Sequence, residues 1–228
     1  MNYNIYSSKT NLSTNKNNNY IFKTIIFDDI NNVENELVKI IKYFFNKMKV
    51  NKNSHILIVG IGNDNYIADS VGPKTLKNIK VNSFLENLDI NIDGPIISSL
   101  EPGVLSETGI LTEKIIKSVT KEIKPDLVIL IDSFISNDIK DLNRTIEVNN
   151  KGLSTGMGVI GINSNINEKK LKTPIITIGV TTAVEVSFSK KNINYIPYIL
   201  STKDVDKYIN SISKIIASAL NKSIDNLK

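Results

Sequence analysis

The sequence predicts a single α/β domain, a three-layer α/β/α sandwich around a mostly parallel central sheet. Three observations carry that prediction. Apolar runs of strand length alternate along the chain with segments whose apolar residues recur at helical spacing. That order is what helices covering both faces of a parallel sheet require. Two of the runs, ending at Val59 and Ile131, are so uniformly apolar that they read as strands near the sheet centre. Each run then stops at an acidic turn, the first leading through Gly60 to Asp69 and the second into Asp132-Ser133.

The elements follow in order. Residues 1 to 20 are rich in Asn and Ser and read as a flexible N-terminal arm, which leaves 21–228 as the α/β domain. An edge strand is expected from Tyr20 to Phe27. Val33, Leu37, Ile40, Ile41, Phe44, Phe45 and Met48 share one face of a helix capped by Asn31 or Asn32. A strand over 55–61 leads through the Asp69 loop into a helix opened near Gly72-Pro73, where proline is tolerated in the first turn. A strand over Pro95 to Leu100 precedes the turn Glu101-Pro102-Gly103. A helix carrying Ile110, Leu111, Ile115, Ile116 and Val119 then runs to Pro125. Strands ending in Asp132, over Thr145 to Val148 and over Ile175 to Val180 follow, with a glycine-spaced loop from Gly152 to Gly161 before the last. The chain closes with a helix whose face is Val205, Ile209, Ile212, Ile216 and Leu220.

Composition narrows the function. Cysteine is absent, so thiolate nucleophiles, disulfide frameworks and cysteine-bound zinc are excluded, which fits a reducing, cytoplasmic location. No apolar stretch reaches membrane-spanning length, and the first 20 residues lack the apolar core of a signal peptide. The net charge of +5, from 28 basic and 23 acidic residues, is spread without a dense run. Arg144 is the only arginine and tryptophan is missing, which argues against direct nucleic-acid binding.

Asp69 and Asp132 are the candidate chemistry. Either alone reads more simply as a helix cap, but two acids at the ends of two apolar strands point to a shared site if those strands are parallel neighbours, because ligand crevices lie at that edge. Gly60-x-Gly62 suggests a phosphate-binding turn, yet position 65 is Asn and the third glycine of the fingerprint is missing, so a tight turn explains it better. His55, the sole histidine, starts its strand at the end opposite Asp69 and is assigned a structural role; a Ser-His-Asp triad or a histidine-supported metal site is thereby disfavoured. Gly156 and Gly158, with Gly152 and Gly161, read either as loop punctuation or as room for an extended substrate backbone. Glu185, beyond the 175–180 strand, is a minor third acid more simply read as a solvated loop residue.

These segments, taken in order, resemble the spore germination protease family, endopeptidases that degrade small acid-soluble spore proteins. Val59-Gly-Ile-Gly-Asn63 and Asp69-Ser-Val-Gly-Pro73 are similar to that family's VGLGN and DALGP elements. Pro102-Gly-Val104 with Thr108-Gly109 resembles its PGV and TG segment, and Lys124-Pro-Asp-Leu-Val128 through Asp132 resembles its KPDLVIAIDAL strand. Gly156-x-Gly158-Val159, Pro174 to Val180 and the helix from Thr202-Lys203 to Asn221 follow the family order, so the likeness spans about residues 55–222. The sequence departs at Thr181-Thr-Ala-Val-Glu185, where PTVVD is usual, and has no glutamate in residues 1 to 20, where the family cleaves its own N-terminal segment after one.

The resemblance implies the phosphorylase/hydrolase-like fold shared with hydrogenase maturation endopeptidases, and places the family's two essential aspartates on Asp69 and Asp132. It implies an endopeptidase of the spore core, with small acid-soluble spore proteins as substrate, no membrane partner, and self-association into a homo-oligomer compatible with the reading. Neither a cofactor nor a bound metal is expected. A cationic subsite for an acidic substrate residue falls on Lys74, directly after the Asp69 turn, although a solvated helix lysine explains that residue as well. Two alternatives stand beside the aspartate pair: a catalytically silent peptide-binding homologue, and a magnesium- or manganese-dependent hydrolase using Asp69, Asp132 and Glu185.

Overall fold

The computed structural model describes residues 20–155, 164–187 and 197–227. Its nine strands are β1 (Phe22–Ile26), β2 (His55–Gly60), β3 (Ile96–Leu100), β4 (Leu127–Ser136), β5 (Thr145–Asn149), β6 (Leu153–Thr155), β7 (Ser164–Ile166), β8 (Ile175–Ser187) and β9 (Pro197–Leu200). The helices are α1 (Val33–Lys47), α2 (Val71–Leu76), α3 (Leu105–Thr108), α4 (Thr112–Ile123), α5 (Glu168–Leu171) and α6 (Val205–Asp225).

Seven strands form one sheet in the order β1-β5-β8-β4-β2-β3, with β9 on β8. The pairs β2–β3, β2–β4 and β4–β8 are parallel, while β5 runs antiparallel between β8 and β1 and β9 runs antiparallel on the far half of β8. The sheet is therefore mostly parallel, with its apolar centre at β2, β4 and β8. Strand alternation divides those residues between two faces. Ile56, Ile58, Leu127, Ile129, Ile131, Ile176 and Ile178 pack with α1 and α6 on one side. Leu57, Val59, Val128, Leu130 and Ile175 pack with Ile116 of α4 and Leu171 of α5 on the other. At about 25 cal/mol per Å² of apolar area, this two-sided burial is the main stabilising term.

The predicted faces of α1 and α6 are the buried ones: Leu37, Ile41, Phe44 and Phe45, and Ile209, Ile212, Ile216 and Leu220, are at most 1% exposed. The entry to α1 differs from expectation. A single 3-10 turn, Ile30–Asn32, precedes it, and the side chain that caps is Asp29, accepting from the Asn31 N–H; Asn32 makes no side-chain cap bond. The helix expected after Gly103 is two helices, because Gly109 takes a left-handed φ of 68° and ends α3 before α4 begins. Ile110, assigned to the buried face, falls in that break and is 50% exposed.

Two strands are longer than their apolar runs. β4 continues past Asp132 to Ser136 and β8 past Val180 to Ser187, because the two strands pair as far as Ser136 with Val184 and β9 then pairs Val184 to Ser187. Glu185 consequently lies within β8, exposed and opposite Ile199 of β9, and is not the loop residue that the sequence suggested. The expected glycine loop contains the small hairpin β6–β7, where Leu153 and Ile166 close the α4 face. Gly156, Gly158 and Gly161 lie outside the described residues, as does the N-terminal arm through residue 19. No described helix is long and apolar enough to cross a membrane.

Candidate active site

β2 and β4 are adjacent, yet their connections part. The chain leaves β2 through α2, which packs beside α6 on one face, and reaches β4 from β3 through α4 on the other. This divergence is a topological switch point, where a crevice opens outside the carboxyl ends of the strands. The Asp69 turn and Asp132 flank it.

Three glycines set the first wall. A Cβ on Gly60 would stand 2.5 Å from the Gly72 carbonyl oxygen, and one on Gly72 would stand 2.3 Å from that of Ile61, so α2 starts pressed against the end of β2. Gly62, at φ +131°, leaves only 1.9 Å between a Cβ position and the Asp69 carbonyl oxygen. An L residue there meets both strain and backbone collision. The glycines expected to make a tight turn are therefore what folds residues 63–69 back over the strand end. The Asn63 N–H then bonds both the Asp69 carbonyl, at 3.1 Å, and its carboxylate Oδ2, at 3.1 Å.

Asp132 follows the last β2–β4 pair, Gly60 with Ile131, and its Oδ1 accepts the Ser133 N–H at 2.9 Å. Alternation places it on the α4 face, beside Gly179 of β8, whose missing side chain makes room for the Phe134 ring. Burial pushes the Asp132 carboxyl well above the ordinary carboxylate range, and the charge of Asp69 pushes it further, against the Ser133 hydrogen bond. Asp69 is raised to about 6, chiefly by burial and also by the charge of Glu107, while the Asn63 N–H opposes the rise. The charge of Asp69 is thus felt at Asp132, and burial raises both carboxyls.

The sequence did not point to several neighbours. Glu107 of α3 accepts from Asn65 Nδ2 at 3.3 Å, linking the Asp69 loop to the loop after β3. Thr182 is the extra residue where β8 slips register against Phe134 and Ile135 of β4, and its hydroxyl donates to the Ala68 carbonyl at 2.7 Å, fixing the turn that carries Asp69. The Thr182 carbonyl accepts from Ser201 Oγ at 2.6 Å. The only available signal was the Thr181-Thr182 pair at the end of an apolar run, and polar residues ending a strand are common.

The other candidates lie elsewhere. Lys74 donates to Asn210 Oδ1 of α6 at 3.0 Å, so its ammonium is engaged on the α6 face. His55 binds Ser98 Oγ at 2.8 Å through Nε2 and accepts no part of the crevice; burial lowers its pKa. Arg144 pairs with Asp28 beyond the end of β1. Among the described residues, no three His, Cys, Asp or Glu side chains gather in a group that could hold a metal ion.

Fold and site together define the class: a doubly covered α/β protein with two partly buried acids, Asp69 and Asp132, at its sheet switch point. Comparison with known proteins gives the family. Residues 23–202 match the family described as Germination protease. The chain is 32% identical to the germination protease of Clostridium tetani, across 89% of this chain and 77% of that protein. It is 36% identical to that of Caldanaerobacter subterraneus, across 74% of this chain and 54% of that protein. The chain belongs to the germination protease family. It spans about half to three-quarters of the length of these two curated relatives. Among solved structures, a NiFe hydrogenase maturation protease from Thermococcus kodakarensis aligns with 79% of this chain and 98% of its own at 17% identity and a TM-score of 0.42.

Proposed function

We propose that this protein is an endopeptidase that hydrolyses small acid-soluble spore proteins when spores germinate, using Asp69 and Asp132 to activate water. The observation that carries the reading is the electrostatic pairing of these two acids at the switch point of a chain belonging to the germination protease family. Asp69, raised to about 6, is the member ionised near neutrality in this reading, so it takes a proton from the attacking water. Asp132, held protonated by burial and by its partner's charge, supplies a proton to the departing amide nitrogen. Gly62 and Thr182 position Asp69, whose pKa is raised chiefly by burial and also by Glu107. Lys74, already bonded to Asn210, has no part in the proposal.

Incubation of the full-length protein, and of a chain lacking residues 1 to 20, with a small acid-soluble spore protein tests the reading through mass spectrometry of the fragments. Limited, site-specific cleavage that is lost in Asp69→Asn and Asp132→Asn is expected. Faster cleavage by the shorter chain would assign the arm an occluding role. Intact substrate in both samples, with measurable binding, would replace the protease by a silent peptide-binding homologue.

A further inference from the structure

β2 stops pairing with β4 at Gly60 and Ile131, yet β4 runs on for five residues. Through that stretch it is bonded to β8 on one side only, and no described residue makes a backbone hydrogen bond to the other side. Which groups face the open side follows from the ladder. In a parallel strand each residue directs its N–H and C=O to one neighbour and the next residue directs both to the other. The Ile61 N–H bonds the Ile131 carbonyl at 2.8 Å, so Ile131 faces β2. Ser133 and Ile135 therefore face the same way, past the point where β2 has ended.

The direct contacts agree. The Ser133 N–H finds no strand partner and turns to the Asp132 carboxylate, while Ser133 Oγ is buried without a hydrogen-bond partner among the described residues. The side chain of Ile135 is half exposed on a strand whose first five residues, Leu127 to Ile131, are fully buried. Opposite this edge stands the Asp69 turn, with Tyr66 70% exposed. Such an edge is a template for one more strand, and proteins that leave one open beside a reactive group have a use for it.

We propose that the β4 edge from Ser133 to Ile135 receives an extended segment of the protein substrate as an added strand, laying its scissile amide against Asp132 and Asp69. This rests on the proteolytic reading. The occupant is an unfolded polypeptide because the recognition is main chain to main chain: the Ser133 carbonyl and the Ile135 N–H and carbonyl have no partner on that side among the described residues, and Asp132 begins the stretch. Side chains of the bound segment would alternate between Ile135 with the Asp69 turn on one face and Phe134 on the other. Folded substrates would be excluded, since a strand already paired cannot add to β4.

Two measurements test it. Hydrogen exchange followed by mass spectrometry on the Asp69→Asn protein, with and without a spore-protein peptide spanning a cleaved bond, should show the amide of Ile135 slowed about tenfold or more, as one added hydrogen bond requires. Single N-methyl groups placed along the same peptide should raise KM for the unmodified enzyme at alternate positions only, the period of a strand. Absence of new protection over Phe134 to Ser136, whether the peptide binds elsewhere or fails to bind, would overturn the assignment, as would equal tolerance of methyl groups at every position. If the enzyme cleaves nothing while exchange still slows at Ile135, the edge stands and the proteolytic reading falls.

Discussion

At the scale of single residues, the paired acids make two predictions. Asp69→Asn and Asp132→Asn nearly preserve shape, so each is expected to lower kcat by at least about a thousandfold with an unchanged circular dichroism spectrum, and the double variant to be no worse than either single one because the pair acts as a unit. Full activity in one variant would reduce that aspartate to a cap. The pH dependence follows from the raised pKa values. Activity should climb as pH rises through about 6, where Asp69 loses its proton, and fall at higher pH as Asp132 loses the proton it must donate. Stability runs the other way. A carboxyl whose folded pKa is raised binds its proton more tightly in the native state, so its stabilising contribution is full below the unfolded value of 3.8 and is lost as pH rises to about 6. Asp69→Asn removes that loss and should stabilise the protein on the order of 1–3 kcal/mol at pH 8 and hardly at all at pH 4. Denaturant melts at the two pH values read the difference.

At the scale of elements, the site depends on where strands end and how turns are held. The Asp69 turn has two anchors, the close packing of Gly60, Gly62 and Gly72 and the hydrogen bond from Thr182 across to Ala68. Thr182→Val keeps the β-branched shape and removes the hydroxyl, leaving the Ala68 carbonyl without its donor. A stability loss of about 1–2 kcal/mol is expected, with kcat falling about tenfold while KM changes little, since a misplaced Asp69 affects the chemistry more than the binding. A variant with lower stability and unchanged kcat would confine Thr182 to a structural role. The extension of β4 and β8 beyond their apolar runs shows why this contact escaped a reading by pattern. Residues 133–136 and 181–187 mix polar and apolar side chains, and pairing with each other and with β9, rather than composition, keeps them in strand form.

For the whole molecule, the question is whether the crevice needs a metal ion. An aspartate pair working alone predicts that dialysis against a strong chelator leaves activity unchanged and that added magnesium or manganese gives no gain. Activity that vanishes and returns with a divalent ion would overturn the mechanism. Glu185, the third ligand of the metal alternative, lies within β8 and pairs across to Ile199 of β9.

The sequence by itself determined the layers. Apolar runs such as Ile56 to Val59 and Leu127 to Ile131 can be satisfied only by burial on both faces, and the helical stripes of α1 and α6 supply the cover. It also singled out Asp132, directly after its run, and Asp69, in the turn that follows the run ending at Val59. Period and composition are local properties, and these features needed nothing more. Tertiary structure alone decided that β2 and β4 are neighbours, that β5 reverses direction, that Gly109 divides a helix, and that Glu107 and Thr182 reach the Asp69 loop. Each of these depends on which distant segments pair, and strand order carries no signature in the pattern of one strand. The carboxyls acquire their raised pKa values for the same reason: desolvation, and the charge of Asp69 acting on Asp132, exist only once two strand ends some 60 residues apart are packed side by side.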